Sequence, residues 1–155
     1  MGRKDLVEAA VPGMSPYAGI GRGMKVGKEE MVGLLAAIER YLKLDHEAEM
    51  KELESRVAYV IEALSEIPGL TAERHIPPIA NHVPHVKLTW SEDAIKLKAA
   101  DVVRQLMEGD PPIAISRRGE RLLHISVWMM RPLEHRIVAR RLEEVFRNKT
   151  SPQAG

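Results

Sequence analysis

A glycine-rich, basic segment between residues 19 and 30 has the composition that best suits ligand chemistry. It reads G-I-G-R-G-M-K-V-G-K-E-E, holds four of the 11 glycines, and runs directly into an apolar periodic segment. Glycines let backbone N–H groups come close to a ligand, and a following helix N-terminus adds a partial positive charge. The segment therefore suits an anion such as a phosphate. Its spacing matches neither the dinucleotide fingerprint nor a Walker A loop, so a hinge before a helix is the alternative.

Two adjacent arginines, Arg117 and Arg118, are the second candidate for binding chemistry. The pattern places them where a strand ends at a turn. One of them could point inward and bind a carboxylate through two parallel hydrogen bonds while the other meets solvent. The alternative is a pair of solvated arginines in a surface turn.

Histidines and serines give weaker signals. His75, His82 and His85 are close in sequence, but their spacing fits no known zinc pattern and the chain has no cysteine. Ser116 and His124 could face each other across a hairpin, but no third group is in place to orient the histidine. The sequence therefore predicts neither a metal site nor a hydrolase triad.

Composition narrows the class of protein. The 155 residues carry a net charge of +1, with 45% hydrophobic, 29% charged and 4% aromatic residues. This length predicts one domain with a real core, and the charge gives no strong attraction to nucleic acid or membrane. The absence of cysteine fits a cytoplasmic protein, and no apolar run reaches the ~18 residues of a membrane span.

The first half of the chain is predicted to be helical. Arg3 to Val11 has a short helical pattern, and apolar residues recur at spacings of three and four between Met31 and Leu64. A polar joint at Asp45–Glu47 interrupts the pattern, which predicts either one bent helix of about 40 residues or two helices in line. A coiled coil is the structural alternative, although the apolar stripe is wider than a heptad seam.

The second half predicts an α+β unit, an antiparallel sheet with helices on one face. The predicted order is an edge strand, a half-buried strand, a helix, a two-stranded hairpin and a last helix opened by Pro132. These lie at Leu70–Ile76, Val83–Trp90, about Glu92–Met107, Ile113–Ser116 with Arg121–Val127, and beyond Pro132. These patterns predict that the whole chain is divided into four segments: a helix and glycine-rich loop at 1–27, a linker helix or helix pair at 28–67, a small α+β domain at 68–147, and a disordered tail at 148–155.

Two groups of motifs together resemble the selenocysteine-synthase-like family of fold-type I pyridoxal-phosphate (PLP) enzymes. The family includes L-seryl-tRNA selenium transferases and relatives such as D-glucosaminate-6-phosphate ammonia lyase. The first group is G-R-K-D-L-V-E-A-A at Gly2–Ala10, the glycine-rich segment, and L-L-A-A-I-E at Leu34–Glu39. The second is P-P-I-A-I-S-R at Pro111–Arg117 and L-E-H-R-I-V-A-R-R-L at Leu133–Leu142.

The resemblance implies that this chain is the C-terminal portion of a longer enzyme. In such enzymes a glycine-rich segment with the cofactor-binding lysine lies just before the G-R-K-D-L motif, which here begins at Gly2. The expectation is therefore that an N-terminal PLP-binding domain is missing and that the chain alone does not catalyse. The parent reaction would be β-elimination or β-replacement on an amino acid or amino-sugar acid, in a homo-oligomer. A tRNA substrate is less expected.

The resemblance also implies roles for particular residues. Gly21, Arg22 and Gly23 would lie near the active site and meet the cofactor phosphate of a neighbouring subunit. Arg117, with Arg118 as its substitute, would hold a substrate carboxylate or phosphate. Leu133 stands where relatives tend to have a glycine between Pro and Glu, which puts the local turn in doubt. The alternative function is a non-catalytic α+β module that binds a phosphorylated ligand or assembles through its long helix.

Overall fold

A computed structural model describes residues 2–79 and 82–148. The chain divides into two compact units, residues 1–45 and 46–155, and each is considered by itself. The predicted disordered tail falls, apart from Asn148, outside the described residues. The first unit holds helices α1 (Lys4–Ala10) and α2 (Lys28–Lys43), with a 3-10 turn at Val11–Gly13 after α1. No side chain of α1 or α2 is buried.

The second unit is an α+β domain, as predicted. It contains α3 (His46–Leu64), β1 (Leu70–His75), β2 (His85–Trp90), α4 (Ala99–Met107), β3 (Ser116–Gly119), β4 (Leu122–Ser126) and α5 (Glu134–Arg147). The four strands form one antiparallel sheet in the order β1-β2-β4-β3, so the predicted edge position of the first strand is confirmed.

The apolar periodicity between residues 31 and 64 corresponds to two helices. Helix α2 ends because Leu44 has an extended backbone, with φ −71° and ψ 138°. Helix α3 then starts at His46 and buries Leu53, Val57, Val60 and Leu64. The sequence left one bent helix and two helices as alternatives, and the structure has two.

The core lies between one face of the sheet and helices α3, α4 and α5. Strand β2 alternates as predicted, with Val86, Leu88 and Trp90 buried and the residues between them only partly buried. Trp90 packs edge-on against Phe146 of α5 at 5.0 Å between ring centroids, and its indole N–H donates to the Leu97 carbonyl. Burial of this apolar face is the main stabilising contribution to the unit.

The predicted start of the fourth helix was wrong. Helix α4 begins at Ala99 rather than near Glu92. Ser91 does accept a hydrogen bond from the Ala94 N–H, but the turn that it caps is isolated, because Lys98 is extended at φ −86° and ψ 150°. Ile95 and Leu97 are buried in this non-helical stretch, so tertiary packing overrides the local helix-start signal.

The hairpin is present, but its predicted turn was misplaced. Arg117 and Arg118 lie within strand β3, and the connection to β4 falls at residues 120 and 121. The turn that precedes α5 is also formed without glycine, because Leu133 takes the left-handed conformation at φ 70°. No helix in the described part of the chain is both long and apolar enough to cross a membrane.

Candidate functional site

The glycine-rich loop of the first unit closes on itself through a close backbone approach. The Gly21 N–H donates to the Gly13 carbonyl at 2.7 Å, and residues 14 and 21 form a short parallel bridge. A Cβ at Gly21 would lie 2.8 Å from that carbonyl oxygen, and one at Gly19 would lie 2.4 Å from the Gly13 Cα. These glycines are therefore needed to close the loop. Gly23 has open space around it.

Arg22 ties the same loop together from its side chain. Its Nη1 donates to the Pro16 carbonyl and, at 3.4 Å, to the Tyr17 carbonyl. Within the described residues its Nε and Nη2 donors have no protein partner. An anion could therefore be held by Arg22 through those donors, beside the accessible backbone of Gly23. In this respect the loop fits the phosphate of PLP, whereas the N–H of Gly21 is already used.

A second group of polar side chains lies on the face of the sheet that the helices leave uncovered. In the strand register His75 is opposite His85, His85 is opposite Ser126, and His124 is opposite Ser116. With Arg118 and residues 77–79, these side chains line a cavity of about 430 Å³. We call it the open-face cavity. The predicted juxtaposition of Ser116 and His124 across the hairpin is confirmed, but its neighbours are basic side chains.

The electrostatics of the open-face cavity are positive. The His75 and His124 rings lie 4.8 Å apart, and His85 Nδ1 is 2.9 Å from the Val83 carbonyl oxygen. Burial lowers the pKa of His124 below its usual value, and neighbouring positive charges lower it further. These charges belong to His75, Arg118, His85 and Lys87. A proton on His124 is therefore disfavoured until a negative charge arrives.

The two candidate arginines lie on different sides of the sheet edge. Arg117 is opposite Leu123, a fully buried residue on the helix-covered face. The register shifts between Arg117 and Gly119, so Arg118 is the extra residue of a β-bulge. Arg118 lines the open-face cavity together with Ser116, and Arg117 does not.

The candidate residues thus form two separate groups. Gly21, Arg22 and Gly23 belong to the first unit, and Arg118 with the histidines belongs to the second. The sequence analysis missed the grouping of His75, His85 and His124. The alternation in β2 already placed His85 on the uncovered face, but only the strand register brings the other two beside it. Among the described residues, no three His, Cys, Asp or Glu side chains are arranged to hold a metal ion.

The fold of the second unit, a four-stranded antiparallel sheet covered on one face by α3, α4 and α5, defines its class as α+β. Two curated proteins resemble the chain over nearly its full length. A 5'-C-glycyluridine monooxygenase-decarboxylase from a Streptomyces species is 33% identical over 147 residues, which are 94% of this chain and 36% of that protein. The D-glucosaminate-6-phosphate ammonia lyase of Salmonella typhimurium (strain 14028s / SGSC 2262) is 32% identical over 149 residues, 93% of this chain and 38% of the enzyme.

A solved structure agrees with the second relative. A structure of D-glucosaminate-6-phosphate ammonia-lyase superposes with a TM-score of 0.62 and 27% identity, covering 84% of this chain and 35% of that one. No protein-family model matches the chain. The predicted resemblance to relatives of this lyase is therefore confirmed, and the chain spans a little over a third of the length of the proteins that it matches.

Proposed function

We propose that this chain is the C-terminal, small-domain portion of a PLP-dependent enzyme. The observation that carries the proposal is the match of 84% of the chain to 35% of a D-glucosaminate-6-phosphate ammonia-lyase structure. An N-terminal cofactor-binding domain then completes the enzyme, and the chain does not catalyse by itself. The exposed apolar residues of α2, which include Met31, Leu34 and Leu35, supply a surface for such a domain.

The substrate in this proposal is an amino acid or amino-sugar acid. Both relatives are named for substrates that contain an amino-acid group, glucosaminate in one and a glycyl group in the other. Their named reactions differ, so the shared segment is compatible with more than one reaction. Elimination or replacement at the β-carbon is the reaction that we propose, with ammonia-lyase chemistry favoured by the agreement of sequence and structure comparisons.

The cofactor would supply an electron sink for the carbanion of the substrate. In the proposal Arg22 and Gly23 contact its phosphate, in a homo-oligomer in which the loop reaches a neighbouring subunit. Arg118 is favoured over Arg117 as the group that binds the substrate carboxylate or phosphate, because it lines a cavity that also holds hydrogen-bond donors. The enzyme is proposed to be cytoplasmic.

Cofactor absorbance with and without the missing domain tests the proposal. The purified chain is mixed with PLP, alone and together with the polypeptide encoded upstream. We expect no visible band of protein-bound PLP from the chain alone and a band when the upstream polypeptide is also present. A borohydride-stable label on a lysine of this chain would contradict the proposal.

A matched pair of variants tests the role of the loop. Arg22→Gln is expected to weaken the PLP affinity of the reconstituted enzyme by about tenfold, the effect of one charge-assisted hydrogen bond. Arg40→Gln, an exposed arginine of the same unit, is expected to leave the affinity unchanged. Equal effects of both variants would remove Arg22 from the cofactor site.

The second candidate is a non-catalytic module that binds a phosphorylated ligand or mediates assembly. The positive open-face cavity is the observation that favours it. Absence of PLP binding both alone and with the upstream polypeptide, together with retained binding of an oxyanion, would select this alternative.

A further inference from the structure

The open-face cavity has the composition of an anion site assembled from four strands. Its donors come from β1 with His75, β2 with His85, β4 with His124 and β3 with Ser116 and Arg118. Pro77, Pro78 and Ile79 form an apolar wall beside them. A concave surface with a few convergent polar groups and an apolar wall is the usual form of a small-molecule site.

The charges around the cavity are unbalanced. The acidic group closest along the strands is Glu73, and its carboxylate is occupied by Lys87 Nζ at 2.6 Å. That ion pair holds the pKa of Glu73 below its usual range, so Glu73 stays ionised and committed to Lys87. Among the residues that the structure describes, the charged or titratable side chains that line the cavity are the three histidines and Arg118, which adds a permanent positive charge.

The histidines are able to act as hydrogen-bond donors from their second nitrogen. His85 donates its Nδ1–H to the Val83 carbonyl oxygen at 2.9 Å, which orients the ring, and Nε2 becomes a donor toward a ligand when the ring is protonated. When an anion binds, protonation of His124 becomes less unfavourable, because the negative charge offsets the positive charges around that ring. Ser116 and Ser126 add neutral hydroxyl donors at the same place.

We infer that the open-face cavity binds a small oxyanion, the phosphate or carboxylate of a ligand, through Arg118 and the histidines His75, His85 and His124. The inference deepens the proposed function. Only the statement that the ligand is the enzyme's substrate rests on that proposed function. Binding of a simple oxyanion belongs to this chain's own side chains and is tested without the cofactor or the missing domain.

Sulfate is a suitable probe because its charge is constant over the pH range in which histidine titrates. Sulfate is titrated into the chain while the ring C–H resonances of all six histidines are followed by NMR. We expect saturable shifts of His75, His85 and His124, and small, non-saturating shifts of His46, His82 and His135. Binding should be about tenfold tighter at about pH 5.5 than at about pH 8, because only protonated imidazoles donate from both nitrogens.

Adjacent arginines provide the matched control. Arg118→Gln should weaken sulfate binding by about tenfold, whereas Arg117→Gln should change it less than about twofold, since Arg117 lies on the other side of the strand. His124→Gln should reduce the pH dependence, because it removes one of the three imidazoles that line the cavity. Circular dichroism verifies that each variant is folded. The inference is overturned if the three cavity histidines do not shift together, or if Arg117→Gln has the larger effect.

Comparison of probes identifies the class of oxyanion. Acetate in place of sulfate separates a carboxylate site from a phosphate-like site, and each outcome specifies the ligand. Because no cofactor is present, failure of these titrations would leave the PLP reconstitution result untouched, and failure of reconstitution would leave oxyanion binding intact. The two proposals can therefore fail separately.

Discussion

Replacing Leu133 by glycine is predicted to stabilise the second unit relative to replacing it by alanine. Leu133 precedes α5 with φ 70°, a conformation that costs a non-glycine residue about 1–2 kcal/mol. Glycine removes that cost but loses about 0.4–1 kcal/mol more conformational entropy on folding. The difference makes Leu133→Gly more stable than Leu133→Ala by about 0.5–1 kcal/mol. Both variants lose the leucine side chain, which is 58% exposed, so the free-energy cost of that loss largely cancels in the comparison.

The measurement is urea unfolding followed by tryptophan fluorescence, since Trp90 is buried in this unit. At equal m-values the midpoint of Leu133→Gly should lie above that of Leu133→Ala. The matched control is Ala58→Gly in α3, an exposed helical position where glycine should cost about 1 kcal/mol relative to alanine. If glycine is the less stable choice at both positions, the left-handed conformation of Leu133 is refuted.

Three further changes test the core of the second unit. Gly69→Ala should destabilise the second unit by more than about 2 kcal/mol in thermal unfolding, because Gly69 has φ +79° and the new Cβ would lie 2.1 Å from the Ala94 Cβ. A variant as stable as the wild type would contradict that packing. Trp90→Phe removes the 2.7 Å hydrogen bond to the Leu97 carbonyl and should lower the free energy of unfolding in urea by about 2 kcal/mol. An unchanged free energy of unfolding would show that this buried hydrogen bond does not stabilise the protein. Burial is the main cause that lowers the pKa of His135, so the unfolded chain binds its proton at higher pH than the folded chain. The free energy of unfolding should therefore fall as the pH drops below about 6.5, with a shallower slope in His135→Phe; an unchanged slope would rule out this contribution.

Local pattern was sufficient to predict most elements of the second unit. Strand β2 and helix α5 follow the alternation and the helical spacing of their apolar residues, because one face of each element is buried. Helix α4 was the element most poorly predicted, since Ser91 gives a helix-start signal that is followed by only one turn. Burial of Ile95 and Leu97 in a non-helical stretch is a tertiary effect that no local signal contains.

The arginines show the same limit at the candidate site. The residue pattern left open whether either of two neighbouring arginines binds an anion, and the family resemblance favoured Arg117. Which arginine faces the uncovered side of the sheet depends on the bulge at Arg118, and a shift of one residue exchanges the two faces of a strand. The bulge is fixed by pairing with β4, so residue order within β3 alone did not predict it.

The sequence by itself determined the class of fold and the resemblance to relatives of D-glucosaminate-6-phosphate ammonia lyase. These features are local, because they depend on hydrophobic period and on motifs in contiguous segments. Only the tertiary structure decided that His75, His85 and His124 share one cavity with Arg118. Residues from four strands meet there because backbone hydrogen bonding sets the register between strands that are distant in sequence.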